Sequence, residues 1–166
     1  MRIQFFVPGI PKPGGSKRAF INRKTGRPII TEDCKFSRDW RTGVAFGANE
    51  QFEHPFAGPL SVRFDFLFLR PRGHFGTGRN AECLKKSAPI YPAVRPDTTK
   101  LIRSTEDALK GIAWKDDAQV VTQFACKRYA QRGGALITVA RQDVADSEGY
   151  SGYEIYSHRQ DHGQGA

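Results

Sequence analysis

Cysteine is scarce in this 166-residue chain, and its three copies, Cys34, Cys83 and Cys126, stand far apart. An odd count, wide spacing and the lack of any Cys-x-x-Cys pair or Cys/His cluster argue against a zinc knuckle and against a disulfide framework. Small buried or half-buried thiols in a reducing cytosol are expected instead. Long apolar runs are missing too. Segments such as Phe64–Leu69 are strand-length, far short of the ~20 residues that a membrane span needs. The opening Met1–Pro8 has no long apolar stretch and no small-residue cleavage site, so neither a secretory leader nor a membrane partner is expected. No internal repeat is visible. Acids are the last shortage: 17 Asp and Glu face 26 Lys and Arg, a formal charge of +9. Such an excess favours a polyanionic partner.

What remains suffices for a packed domain. Apolar residues make up 39% of the chain and Phe alone supplies 12, which argues against a wholly disordered chain. The charge is unevenly spread. Residues 1–96 carry 17 basic and seven acidic side chains, 97–117 carry four and five, and 118–166 carry five and five. One short acidic cluster therefore sits behind a strongly basic front half. That layout suits a protein that grips a phosphate backbone and sets metal-binding carboxylates against it.

Local patterns place the elements. Arg2–Pro8 reads as a strand ended by the turn-rich Pro8–Gly15. Residues 16–20 and 27–31 flank a loop with Gly26 and read as a hairpin, its tip basic with Arg23, Lys24 and Arg27. Ser37 is placed to cap an amphipathic helix to about Glu50 or Gln51, with Trp40, Val44, Ala45 and Ala48 at helical spacing; Gly43 and Gly47 weaken it by roughly 1 kcal/mol each. Leu60–Leu69 alternates as a strand, its second half expected to be buried on both faces. Residues 71–96 are Gly/Pro-rich and basic, with His74, Phe75 and Tyr91 interleaved, and are expected to form a mobile loop that orders on nucleic acid. Thr98–Gly111 is the clearest helix, with Leu101, Ile102, Thr105, Ala108, Leu109 and Ile112 on one stripe and Asp97 as N-cap. A strand over 116–129 and a last strand over 135–140, its hairpin partner immediately before it, complete an α+β domain. The mixed sheet has helices on one face. The domain is expected over 1–142, followed by a polar, acidic tail over 143–166 that carries Tyr150, Tyr153 and Tyr156 and is expected to be disordered.

The chemistry lies in Arg95–Gly111 and Trp114–Val121. One carboxylate, Asp97, stands at a helix entrance, and Asp116 and Asp117 stand at a strand entrance. If the chain doubles back after Gly111, both ends meet at one edge of the sheet. Hard divalent cations take a few carboxylates plus waters and phosphate oxygens, and such a site hydrolyses phosphodiesters. In regular extended geometry only one of Asp116 and Asp117 would join Asp97. Singly, each acid has a plainer use: Asp97 as a cap, Asp107 as a surface acid facing Lys100, Arg103 or Lys110, and Asp116-Asp117 as a polar turn. Basic side chains expected to meet DNA are Lys12, Lys17, Arg18, Lys24, Arg70, Arg72, Arg79, Lys85, Lys86, Arg95 and Lys100.

Arg95-Pro96-Asp97, Asp107-Ala108-Leu109, Gly111 and Asp116-Asp117-Ala118-Gln119-Val120 match in order the signature of the RusA family of Holliday-junction resolvases of phages and prophages. Phe5–Pro11 with Ser16-Lys17-Arg18 resembles that family's opening strand and basic turn. The resemblance spans most of residues 1–142. It implies an α+β homodimer that nicks four-way DNA junctions in pairs, with Mg²⁺ or Mn²⁺ and no small-molecule cofactor, in recombination and repair. The cytoplasm of a bacterium or a phage-infected host is the implied location. By position, it implies Asp97 and Asp117 as metal ligands with Asp116 beside them. Arg103 falls where the family has a catalytic-region Lys.

Two positions depart from the pattern. The family's second Asp falls on Thr99, a poorer Mg²⁺ ligand than a carboxylate, and its Asn falls on Lys100, which brings positive charge to the site. Either Asp116 or Asp107 substitutes, the ion is held more weakly, or binding survives without cleavage. A basic interaction protein whose acids only cap and turn is the third reading.

Overall fold

The computed structural model describes residues 1–14, 17–32 and 36–142. Strands β1 (Arg2–Pro8), β4 (Leu60–Leu69), β5 (Val120–Ala130) and β6 (Gly134–Arg141) form one sheet, and β2 (Lys17–Ile21) and β3 (Pro28–Glu32) form a separate hairpin. Two helices, α1 (Ser37–Asn49) and α2 (Thr98–Leu109), complete the set, with single 3-10 turns at 72–74, 78–80 and 117–119. The fold is the α+β arrangement that the patterns predict. No helix among the described residues is long and apolar enough to cross a membrane. The tail over 143–166 lies outside the described residues.

Alternation along each strand builds one apolar sheet face. Phe5, Ile137, Phe64 and Ala125 share a row across β1, β6, β4 and β5. Val7, Val62, Phe66, Ala135 and Val139 extend that face, and it is closed by Trp40, Val44 and Ala48 of α1 and Leu101, Ala108 and Leu109 of α2. Removing each large side chain from water contributes about 1.5–3 kcal/mol, so both helices are fixed by their inward stripes. Trp40 Nε1 also donates to Thr105 Oγ1 at 3.2 Å, locking α1 to α2. Two glycines bear directly on this packing. A Cβ on Gly14 would lie 3.0 Å from Ser104 Cβ, where the loop after β1 crosses α2, and one on Gly134 would lie 2.3 Å from the Val7 carbonyl oxygen.

Several expectations are corrected. β5 and β6 are not a hairpin: the order is β1-β6-β4-β5, with β4–β5 parallel and the other pairs antiparallel. The most apolar strand, β4, takes a central place between them, whereas β5 carries Thr122, Gln123, Lys127 and Arg128 and stays at an edge. Burial of β4 on both faces is confined to Phe64–Phe66, since Leu69 at its end is exposed. Ser37 does not cap α1. Phe36 holds the cap position without a side-chain bond, and Ser37 Oγ is buried without a partner. Residues 71–96 hold only two 3-10 turns, and several of their backbone carbonyls accept hydrogen bonds from Arg70, Lys85 and Lys127, as described below.

Candidate functional site

α2 positions the acids. Its inward stripe orients the helix so that its two ends are held apart by 12 residues, about 18 Å at 1.5 Å per residue. At the entrance, Asp97 is extended and exposed and its carboxylate lies 3.3 Å from Lys100 Nζ. It occupies the cap position but makes no side-chain cap bond.

The opposite end holds Asp116 and Asp117 in a 3-10 turn, not in the strand that was expected. Lys110 Nζ reaches both carboxylates, at 3.5 and 3.3 Å. Asp116 accepts from Ala118 N at 2.9 Å, and Gln119 Oε1 accepts from the backbone N–H of Asp116 and Lys115, a reciprocal capping box. Gln119 Nε2 then donates to the carbonyls of Phe56 and Gly58, tying the turn to the entrance of β4. The fully buried Trp114 donates from Nε1 to Asp117 Oδ1 at 2.9 Å. The Asp-Asp-x-Gln-Val element is thus a turn that fixes the aim of two carboxylates. The N–H of Ala118 and then the Lys110 charge hold Asp116 below the usual carboxylate range, and the Asp117 carboxylate raises Lys110.

Sequence reasoning passed over Glu106. It lies half-buried on α2 one helical turn before Lys110, accepts a hydrogen bond from Gln123 Nε2, and its carboxyl is pushed up first by burial and then by the Asp117 charge. The i, i+4 spacing of Glu106 and Lys110 was the available signal. Asp107 faces Arg41 at 3.8 Å, and not Lys100, Arg103 or Lys110.

Asp97 therefore does not meet Asp116 and Asp117 in one protomer. β5 retraces α2 in the opposite direction: Gln123 contacts Glu106, and Lys127 Nζ contacts the Pro96 carbonyl beside Asp97. The chain does double back after Gly111, but along the whole helix. Among the described residues no three His, Cys, Asp or Glu side chains converge on a metal position. The residues of a single protomer do not fit a shared divalent ion bound by Asp97 and Asp117.

The basic residues divide by use. Arg70 lies 4.4 Å over the Tyr129 ring and donates to the Pro89 carbonyl, and Lys85 donates to the Gly73 carbonyl. Both bind backbone carbonyls of the 71–96 arm. Lys12 packs over Phe36, and Lys100 faces Asp97. Lys24, Arg72, Arg79, Lys86, Arg95 and Arg103 stand exposed, whereas Lys17 and Arg18 are described by backbone alone. On the sheet face away from the helices, Arg63 forks onto Asp65 at 2.7 and 3.0 Å, stacks on Phe124, and shares Asp65 with Arg128 and the Cys126 thiol.

A mixed sheet backed by two helices, with carboxylates at the two ends of one helix, defines an α+β domain. The chain belongs to the Endodeoxyribonuclease RusA family, whose model matches residues 8–140. This makes it a member of a family of junction-resolving endonucleases, and every acid discussed above lies inside the matched span. The chain is also similar to Uncharacterized protein YqaN of Bacillus subtilis (strain 168), 27% identical over 130 residues, which cover 78% of this chain and 89% of that protein.

Proposed function

We propose that this protein is a structure-selective, divalent-metal-dependent endodeoxyribonuclease that resolves four-way DNA junctions by paired nicking, as a homodimer, in recombination and repair. The observation that carries the reading is the placement of acids: Asp97 at one end of α2, and Asp116, Asp117 and Glu106 at the other. In a two-fold dimer with antiparallel α2 helices, Asp97 of one protomer would stand beside Asp116 and Asp117 of its partner, twice, once for each strand to be cut. Those are the residues that would hold Mg²⁺ or Mn²⁺, which would supply charge neutralisation and an activated water. Lys100 and Lys110 neutralise these carboxylates within one chain and would have to turn outward, toward phosphate, for an ion to enter. Arg103, exposed on α2, suits a phosphate oxygen through its planar fork.

The test is a synthetic four-way junction incubated with Mg²⁺ or Mn²⁺. Symmetric nicks are expected, with a loss of ~10²-fold or more for Asp97→Asn or Asp117→Asn, the scale of a removed charge-stabilising group. An intact junction across the whole metal titration, with the purified folded protein, excludes the nuclease reading. Thr99 and Lys100 favour a second reading, a junction-binding protein with weakened or absent cleavage. It predicts tight, salt-sensitive junction binding without nicks, and restoration of nicking by Thr99→Asp combined with Lys100→Asn.

A further inference from the structure

The arm between β4 and α2 exposes apolar side chains that a folded protein normally hides. Ile90 is 76% exposed, Tyr91 63% and Val94 69%. They are not on a loose segment. Arg70 fixes the carbonyl of Pro89, and Lys127 fixes those of Val94 and Pro96 at 2.7 and 3.0 Å. Pro92 is buried and lines a small cavity with Phe68, Tyr129 and Lys127. Pro89 and Pro92 each lock a backbone dihedral. Ile90-Tyr91 is thus an exposed pair with an anchored residue on each side, Pro89 and Pro92. A pair held out in this way loses little conformational freedom when a partner covers it.

Charge selects the partner. Residues 70–96 carry six Lys and Arg and one acid, Glu82, and Arg72, Lys86 and Arg95 of the same arm are exposed. A second copy of the same arm would bring like charges together. A polyanion that offers apolar, unstacked base faces matches both the cations and the pair. We propose that Ile90 and Tyr91 form a wedge that enters the opened base stack at the branch point of DNA, as apolar side chains do between base steps in kinked duplexes, and that this wedge distinguishes branched from continuous duplex. The inference rests on the junction reading above and adds the residues that make the selection.

The experiment uses the full chain, metal-free buffer, and a four-way junction carrying 2-aminopurine next to the branch point, with a linear duplex of the same sequence as control. Wild type is expected to raise the fluorescence. Ile90→Ala combined with Tyr91→Ala should abolish that rise and weaken junction binding by roughly tenfold or more, the scale of one lost base stack, while linear-duplex binding is unchanged. Tyr91→Phe should retain both. A wild type without preference for the junction overturns the junction reading itself. A double variant that keeps the preference and the fluorescence overturns the wedge alone. A change of molecular mass in sedimentation on making the double variant also overturns it, because the pair would then join two copies.

Discussion

Glu106 shows how one side chain can carry a cost in stability that belongs to the site. Burial first, and then the Asp117 charge, raise its folded-state pKa above the ordinary 4.5. From that value upward to the folded pKa, the native state holds more protons than the unfolded chain, so stability falls as pH rises through this window and then levels off. Glu106→Gln keeps an acceptor for Gln123 and removes the titration. Its melting temperature relative to wild type is therefore expected to climb between about pH 4 and about pH 7; thermal melts at both pH values check this, and a constant difference excludes it. Single residues were unevenly legible. Asp97, Asp116 and Asp117 were picked out as a set because acids are rare in a basic chain. Glu106 was not, since its significance comes from Asp117, 11 positions away. Asp65 was invisible for the same reason: it is held below the usual carboxylate range by Arg63, and its other partners are Cys126 and Arg128, which only strand register brings together.

Among the elements, α2 was the most readable because its apolar period is strong and its entrance is marked by Pro96-Asp97. Its ends were found, but their separation was misjudged: a chain reversal after Gly111 does not bring two ends together when the helix between them is straight. The 71–96 arm was the least readable. Its Gly/Pro content describes a loop, and nothing in a linear reading discloses that Arg70, Lys85 and Lys127 will be spent on backbone carbonyls. Lys127 is the farthest of these from the arm in sequence. Lys127→Met keeps the stem and removes the donor, so the amides of Ala93, Val94, Arg95 and Asp97, which lie between and beside the two prolines of the segment, are expected to exchange hydrogen at least about tenfold faster, on the scale of one charge-assisted hydrogen bond, while β4 and β6 keep their protection. Mass-resolved hydrogen exchange reads this directly, and uniform protection in both proteins would show that the clamp holds nothing.

For the whole molecule, the separation of acids by α2 leads to a test that no single substitution offers. Asp97→Asn and Asp117→Asn, the two variants that the proposed function expects to be inactive, are unfolded and refolded together. If each site draws one acid from each protomer, a mixed dimer contains one intact site, and single-strand nicking returns in the mixture although neither parent cuts. If each protomer served itself, the mixture would stay inactive. The class of fold was legible from the succession of patterns, but the strand order was not, because periodicity gives the faces of a strand and not its neighbours. That order has a kinetic meaning. β6, the last strand of the described residues, lies between β1 and β4, with Arg2 opposite Ala140 and Leu60 opposite Arg141. Among the described residues β1 pairs with β6 alone, so it has no place in the sheet until β6 has been made. Assembly is therefore expected to be a long-range event, and a product that stops before β6 has a gap in the middle of its sheet.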